Sequence, residues 1–171
     1  MSAVMKIVRV LMAMLFFLLI LPFASLNVGR IVDPYIFPQS IQQPFLIVGV
    51  PVLVAGFLFS MASIWQLYSL GKGMPWGDIA EDSQSSHLVT SGLYRYTRNP
   101  MLFGTWLLLC GFGICFGSPT MALLISTALV VLVSIWIERL EEPELVKRFG
   151  QEYLDYRERT PFLIPRAPRR E

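Results

Sequence analysis

The chain has 171 residues, 54% of them apolar and 15% charged, with a net charge of +2 and a mean hydropathy of +0.57. Soluble domains carry about 25% charged residues, and here three stretches, residues 10–29, 34–71 and 99–137, hold no Asp, Glu, Lys or Arg. Because about 20 apolar residues suffice to cross a bilayer, this pattern excludes a small soluble enzyme, a nucleic-acid binder and a disordered chain.

The first stretch follows Lys6 and Arg9 and predicts a membrane span over residues 10–26. A signal peptide is the rival assignment, since basic residues precede an apolar run that ends near Ala24 and Ser25. Residues 33–44 hold Pro34, Pro38 and Pro44 and are expected to form a loop. A second span is predicted from Phe45 to Leu70, with Pro51 near its start, which membrane helices tolerate. Gly71-Lys72-Gly73 reads as its C-cap. The third stretch is almost twice as long as a ~30 Å hydrocarbon layer needs. It divides at Gly117-Ser118-Pro119 into two halves, a helical hairpin that crosses and returns. Asn99 and Pro100 suit the start of that hairpin, Asn as a cap and Pro at the first helical position.

The expected fold is therefore an all-α integral membrane protein with about four transmembrane helices, a helical hairpin and a cytoplasmic helical C-terminal segment. Residues 1–44 form an N-terminal span and external loop. Residues 45–171 form a core with a loop at 71–99 and a C-terminal segment at 138–171. In this topology all Lys and Arg except Arg30 fall on one side, which the positive-inside rule makes cytoplasmic, with both termini there. Cys110 and Cys115 lie five residues apart in one span, and His87 is the only histidine. No disulfide and no Cys/His metal site is expected.

Polar chemistry is thus confined to two segments. In the first, Tyr94, Arg95, Tyr96 and Arg98 belong at a membrane surface on interfacial grounds alone. In the second, Glu138, Glu141 and Glu142 share a helical face at i, i+3 and i+4. That face is either solvated or functional, since acids at a membrane exit are functional candidates. After Pro143, an amphipathic helix pair is expected to break at Gly150, with Phe149, Tyr153 and Tyr156 on one stripe. Residues 161–165 read as a small apolar lid, and Arg166, Arg169 and Arg170 lie at anionic headgroups.

The stretch His87-Leu88-Val89-Thr90-Ser91-Gly92-Leu93-Tyr94-Arg95-Tyr96-Thr97-Arg98-Asn99-Pro100-Met101-Leu102-Phe103-Gly104 resembles the signature of the isoprenylcysteine carboxyl methyltransferase and phospholipid N-methyltransferase superfamily. Gly71-Lys72-Gly73-Met74-Pro75, the Gly117-Ser118-Pro119 turn, Glu141-Glu142-Pro143 with Phe149-Gly150-Gln151-Glu152-Tyr153, and the closing Arg159 to Pro165 run match in order. The resemblance covers roughly residues 45–165. It implies a membrane methyltransferase, of bacterial inner-membrane type, that uses S-adenosyl-L-methionine. It also implies a lipophilic small-molecule, lipid or lipidated acceptor carrying a carboxylate, amine or thiol, at the cytoplasmic face of the bilayer, and no nucleic acid. By resemblance, His87, Leu88, Val89, Tyr94, Asn99, Pro100, Leu102, Glu141 and Glu142 contact the cofactor, with the Glu pair on its ammonium or ribose hydroxyls, and Arg139 lies on the acceptor side. His87 is the candidate general base, or else a wall of the pocket. Two positions depart from the prenylcysteine enzymes, which carry His at the place of Asn99 and commonly Tyr at that of Leu102. An NADPH-dependent reductase of the sterol type is the rival enzyme. Thr105 after Gly104, and Arg159 ahead of Pro161, favour methyl transfer. A non-enzymatic membrane accessory protein is the third possibility, and it leaves the ordered motifs unexplained.

Overall fold

The computed structural model describes Met12 and residues 15–71 and 87–167, and all regular structure among them is helical. After a π turn at Phe16–Ile20 come α1 (Leu21–Ile36), a single 3₁₀ turn (Gln39–Ile41) and α2 (Leu46–Gly71). A 3₁₀ turn at Gly92–Arg95 leads into α3 (Pro100–Cys115). Then one continuous helix runs over Thr120–Phe149. It comprises a π turn (Thr120–Ile125), α4 (Ser126–Trp136), a second π turn (Ile137–Glu141) and α5 (Glu142–Phe149), and α6 (Gln151–Arg159) follows it.

Two helices, Leu46–Gly71 and Thr120–Phe149, are long and apolar enough to cross a membrane, and α3 is a shorter apolar helix. Their surfaces are inverted relative to a soluble protein. Ile47, Trp65 and Leu132 are 81%, 69% and 64% exposed, whereas Ser25, Ser60, Ser63, Ser118 and Ser126 are buried. Lipid gives apolar side chains no reason to hide, so helices associate through small and hydroxyl residues that permit close packing.

The chain divides into two compact units. The first combines the chain up to Leu53 with Leu109–Thr127. Its core includes Leu26, Leu109 and Met121. Asp33, 2% exposed, accepts the Thr120 amide at 2.8 Å and so caps the start of the long helix. This corrects the loop expected at 33–44: α1 continues to Ile36 with Pro34 inside it. Pro34 falls in the last turn and withholds one helical hydrogen bond, its own to the Arg30 carbonyl, while the Asp33 carbonyl still accepts from the Phe37 amide at 2.9 Å. The hairpin break lies where expected, with a turn at Phe116 and Gly117 between α3 and the long helix.

The second unit comprises Val54–Leu108 and Ala128–Glu171. Here α2 and α3 approach at backbone distance. A Cβ on Gly56 would meet the Leu108 amide and the Gly104 carbonyl, the latter at 2.6 Å, so only glycine fits. Phe59 and Phe103 pack edge to face at 5.3 Å beside this contact. At the other end of the unit, Gly150 has φ +56° and separates α5 from α6. Glycine reaches that conformation without the Cβ clash other residues meet. Tyr153 and Tyr156 are buried on α6, while Phe149 lies on the preceding helix, so the expected single aromatic stripe is split in two.

Candidate functional site

The site lies wholly within the second unit and is built from three pieces: residues 87–102, the segment Ile137 to Glu142, and α6 with the strap that follows it. The first piece hangs from α2, where Gln66 Oε1 accepts the Leu93 amide at 2.8 Å. It ends at Asn99, whose carbonyl takes the first helical hydrogen bond of α3, from Phe103 at 3.1 Å. Pro100 is fully buried as the first residue of α3, a position where its missing N–H is no loss.

The second piece owes its shape to the π turn at Ile137–Glu141, immediately ahead of Pro143. Proline lacks an N–H and crowds the preceding turn, and a π turn relieves this by inserting an extra residue. The three acids of this segment nevertheless differ in environment. Glu138 is exposed, Glu141 half-buried and Glu142 buried.

Glu142 points at the first piece. Its Oε1 lies 2.6 Å from Arg98 Nη1, and its Oε2 lies 3.7 Å from Arg157 Nη1. The Arg98 guanidinium also stands over the Phe162 ring at 5.5 Å. Despite the short distance, Arg98 Nη1 and Nε and Glu142 Oε1 have no aligned hydrogen-bond partner. The contact is an ion pair by distance, with Tyr153 hydrogen-bonding to both side chains. The Arg98 Nε left unpaired is costly when buried, and it is a natural donor to a bound polar molecule.

Three tyrosines lie around this pair. Burial pushes the Tyr94 phenol above its ordinary pKa, and the charge of Glu141 pushes it further. Tyr153 is raised by burial and then by Glu142, with Arg98 opposing. Tyr156 is raised by burial and by its two tyrosine neighbours, again against Arg98. All three stay protonated at neutral pH. Tyr156 Oη donates to the Tyr94 carbonyl at 2.7 Å.

The strap, residues 161–166, pairs with residues 96–99. Arg98 and Asn99 amides donate to the Pro161 and Phe162 carbonyls at 2.9 and 3.1 Å, and the Arg166 amide donates to the Tyr96 carbonyl at 2.9 Å. The Asn99 carboxamide also donates to the Phe162 carbonyl, at 3.1 Å. Asn99 thus ties down the strap with both its backbone N–H and its carboxamide.

Of the residues singled out from sequence, the structure joins Asn99 to the strap, Glu142 to Arg98, and Tyr94 to Tyr156 and the field of Glu141. Val89 and Pro100 are buried, and Leu88 and Leu102 are half-buried. His87 and Arg139 are exposed. Lys72 and residues 73–86, including most of the expected C-cap and the Met74-Pro75 motif, lie outside the described residues. Sequence reasoning missed Arg98, assigned only to the membrane surface, and it missed Thr97, Tyr156 and Phe162. The available signal for Arg98 was its position directly before Asn99-Pro100, which ties it to a helix start.

Residues 44–152 match the family model described as phospholipid methyltransferase. Over 91 residues, half of this chain, it is 33% identical to the protein-S-isoprenylcysteine O-methyltransferase of Mus musculus. Over 93 residues, 53% of the chain, it is 34% identical to the Schizosaccharomyces pombe protein of the same name. These matches span 30% and 38% of those relatives, so the chain covers only about a third of their length. The fold is similar to that of the eukaryotic intramembrane Ras methyltransferase, isoprenylcysteine carboxyl methyltransferase, with a TM-score of 0.60 at 22% identity, over 85% of this chain and 51% of that one. With the family model matching well over half of its residues, the chain belongs to the phospholipid methyltransferase family.

Proposed function

We propose that this chain is an integral-membrane methyltransferase that takes a methyl group from S-adenosyl-L-methionine and passes it to a lipophilic or lipidated acceptor. The observation that carries this is the buried pair of Arg98 and Glu142, which lies within the family-matched stretch and leaves Arg98 Nε without a hydrogen-bond partner. A cofactor with an ammonium, a carboxylate and ribose hydroxyls fits this donor set. Glu141 and Glu142 would hold the ammonium or hydroxyls through charge-assisted bonds. Arg98 supplies the N–H groups for a carboxylate, whether of cofactor or acceptor. Tyr94, Leu88, Val89, Leu102 and Pro100 would wall the pocket and exclude water.

When bound, the cofactor supplies a methyl group on a positively charged sulfur. The chain's own task is alignment of the reacting groups, which is worth several orders of magnitude in rate. The names of the relatives support a lipidated acceptor. We further propose four membrane spans with both termini and the site on the cytoplasmic face, from the charge asymmetry of the sequence. Residues 1–44 would then supply an N-terminal span, joined to the methyltransferase core where Asp33 accepts the Thr120 amide. The exposure of His87 favours methyl transfer without a histidine base, and that of Arg139 is compatible with a role toward the acceptor.

The test is a thermal-shift comparison of S-adenosylhomocysteine with NADPH on the detergent-solubilised protein. Stabilisation by S-adenosylhomocysteine is the expected result, and stabilisation by NADPH alone would refute the proposal.

A further inference from the structure

Two buried contacts join the C-terminal segment to residues 94–99, and neither contains a charged side chain. Thr97 has no solvent exposure. Its hydroxyl lies 3.1 Å from the Phe162 carbonyl and 2.8 Å from the Leu163 carbonyl, so its single proton is shared between them. The same oxygen accepts the Asn99 amide at 3.3 Å. Phe162 thereby receives three donors on one carbonyl, from Thr97, the Asn99 amide and the Asn99 side chain, while its ring lies under the Arg98 guanidinium. On the other flank, Tyr156 Oη grips the Tyr94 carbonyl at 2.7 Å.

We propose that Thr97 and Tyr156 are positioning residues, through which the C-terminal segment holds Tyr94 and Arg98 in the geometry that binds the cofactor. This rests on the methyltransferase function proposed above. The physical reason is that residues 96–99 form no regular element able to hold themselves. Arg98 is a long, rotamer-rich side chain whose placement depends on the backbone beneath it and on the Phe162 ring against it. Both are steadied by the Thr97 hydroxyl, which adds to the backbone pairing of Arg98, Asn99 and Arg166 with the strap and also bonds the Leu163 carbonyl. Tyr94 stands on a one-turn 3₁₀ element anchored at Leu93 by Gln66 and at its own carbonyl by Tyr156. Loss of either hydroxyl frees one end of the loop without altering any group that would touch the cofactor.

The experiment measures S-adenosylhomocysteine affinity by calorimetry on the full chain in detergent, well below its melting temperature, for wild type, Thr97→Val, Thr97→Ser and Tyr156→Phe. Chymotryptic cleavage within the strap is followed in parallel. Thr97→Val is expected to weaken binding about tenfold, the effect of one lost buried hydrogen bond, and to speed strap cleavage. Thr97→Ser, which keeps the hydroxyl, should stay within about twofold of wild type, and Tyr156→Phe should weaken binding severalfold. If Thr97→Val melts earlier but binds like wild type, Thr97 is only structural and the proposal falls. Equal loss in Thr97→Ser and Thr97→Val also overturns it, because the hydroxyl is then not the cause. Should Thr97→Val not fold, Tyr156→Phe decides: wild-type affinity in that variant overturns the proposal. A folded wild-type protein that does not bind S-adenosylhomocysteine refutes the methyltransferase function itself, and this inference with it.

Discussion

Arg98 and Glu142 meet at 2.6 Å with only 11% and 6% of their side chains exposed. One residue lies at the end of the first polar segment of the chain and the other, 44 positions later, opens α5 just after a π turn. Two charges buried in this way hold each other in place, because each compensates the other where little water reaches. A second arginine, Arg157, approaches the same carboxylate at 3.7 Å from α6, so Glu142 draws the three pieces of the site toward one point.

Removal of either partner should therefore be a stability mutation before it is a binding mutation. Glu142→Ala leaves the Arg98 guanidinium buried without a counter-charge, which typically costs about 3–5 kcal/mol. Arg98→Ala should cost a similar amount, and the double variant clearly less than the sum, as denaturant or thermal unfolding of the four proteins in a double-mutant cycle will measure. Strict additivity would mean that the pair contributes nothing as a pair.

Glu141 allows binding to be tested without that loss. It is half-buried and its charge is felt at the Tyr94 phenol. Glu141→Gln should change the melting temperature little and weaken S-adenosylhomocysteine binding about tenfold, as expected for one charge-assisted bond. Titration calorimetry of the variant checks this, and unchanged affinity would remove Glu141 from the site.

The close approach of α2 and α3 makes a size prediction. A methyl on Gly104 would collide with the Ser60 hydroxyl and meet the Ser60 amide at 2.7 Å. Gly104→Ala should destabilise the protein by about 1–3 kcal/mol, and Gly104→Val by more. Thermal unfolding in detergent of the two variants tests the order.

Asp33 is expected to matter although it lies far from the site in sequence and in the other compact unit. Asp33→Ala leaves the Thr120 amide without its acceptor and should cost about 1–3 kcal/mol. Asp33→Asn keeps an acceptor oxygen and should cost less. Comparison of the two melting temperatures measures the difference.

The tyrosines predict an alkaline limit. Their folded pKa values are raised, so the folded protein keeps phenolic protons that the unfolded chain releases above about pH 10. Their contribution is full below that pH and is lost as the pH rises through the folded values. Stability should fall above pH 10, by up to about 1.4 kcal/mol per pH unit for each tyrosine. Tyr156→Phe should flatten that slope while leaving the neutral-pH slope unchanged, as melting temperatures recorded from pH 7 to 11 will show.

Much of the architecture was legible in the sequence because bilayer physics writes it there. Long uncharged runs, Gly117-Ser118-Pro119 and Gly150 each act through local chemistry, and they placed α2 within one residue of its observed start and end, the hairpin turn, and the break between α5 and α6. Local chemistry was a poorer guide where a distant partner intervenes. Pro34 argued for a loop, yet α1 continues past it beside a buried Asp33 that caps a helix 87 residues away. The three acids after Trp136 read alike in sequence, yet Glu142 is buried against Arg98 while Glu138 is exposed.

The sequence by itself determined that this chain is a helical membrane protein with its charge gathered into two segments, because hydrophobicity and charge act on residues one at a time. It also singled out Asn99, Pro100, Glu141 and Glu142. Only the tertiary structure decided that Arg98 is Glu142's partner, that Asn99 holds the strap and that Thr97 and Tyr156 clasp the loop. Those are pairings between residues 44 to 66 positions apart. No periodicity or motif encodes such pairs, since they depend on where the folded backbone brings each donor to its acceptor.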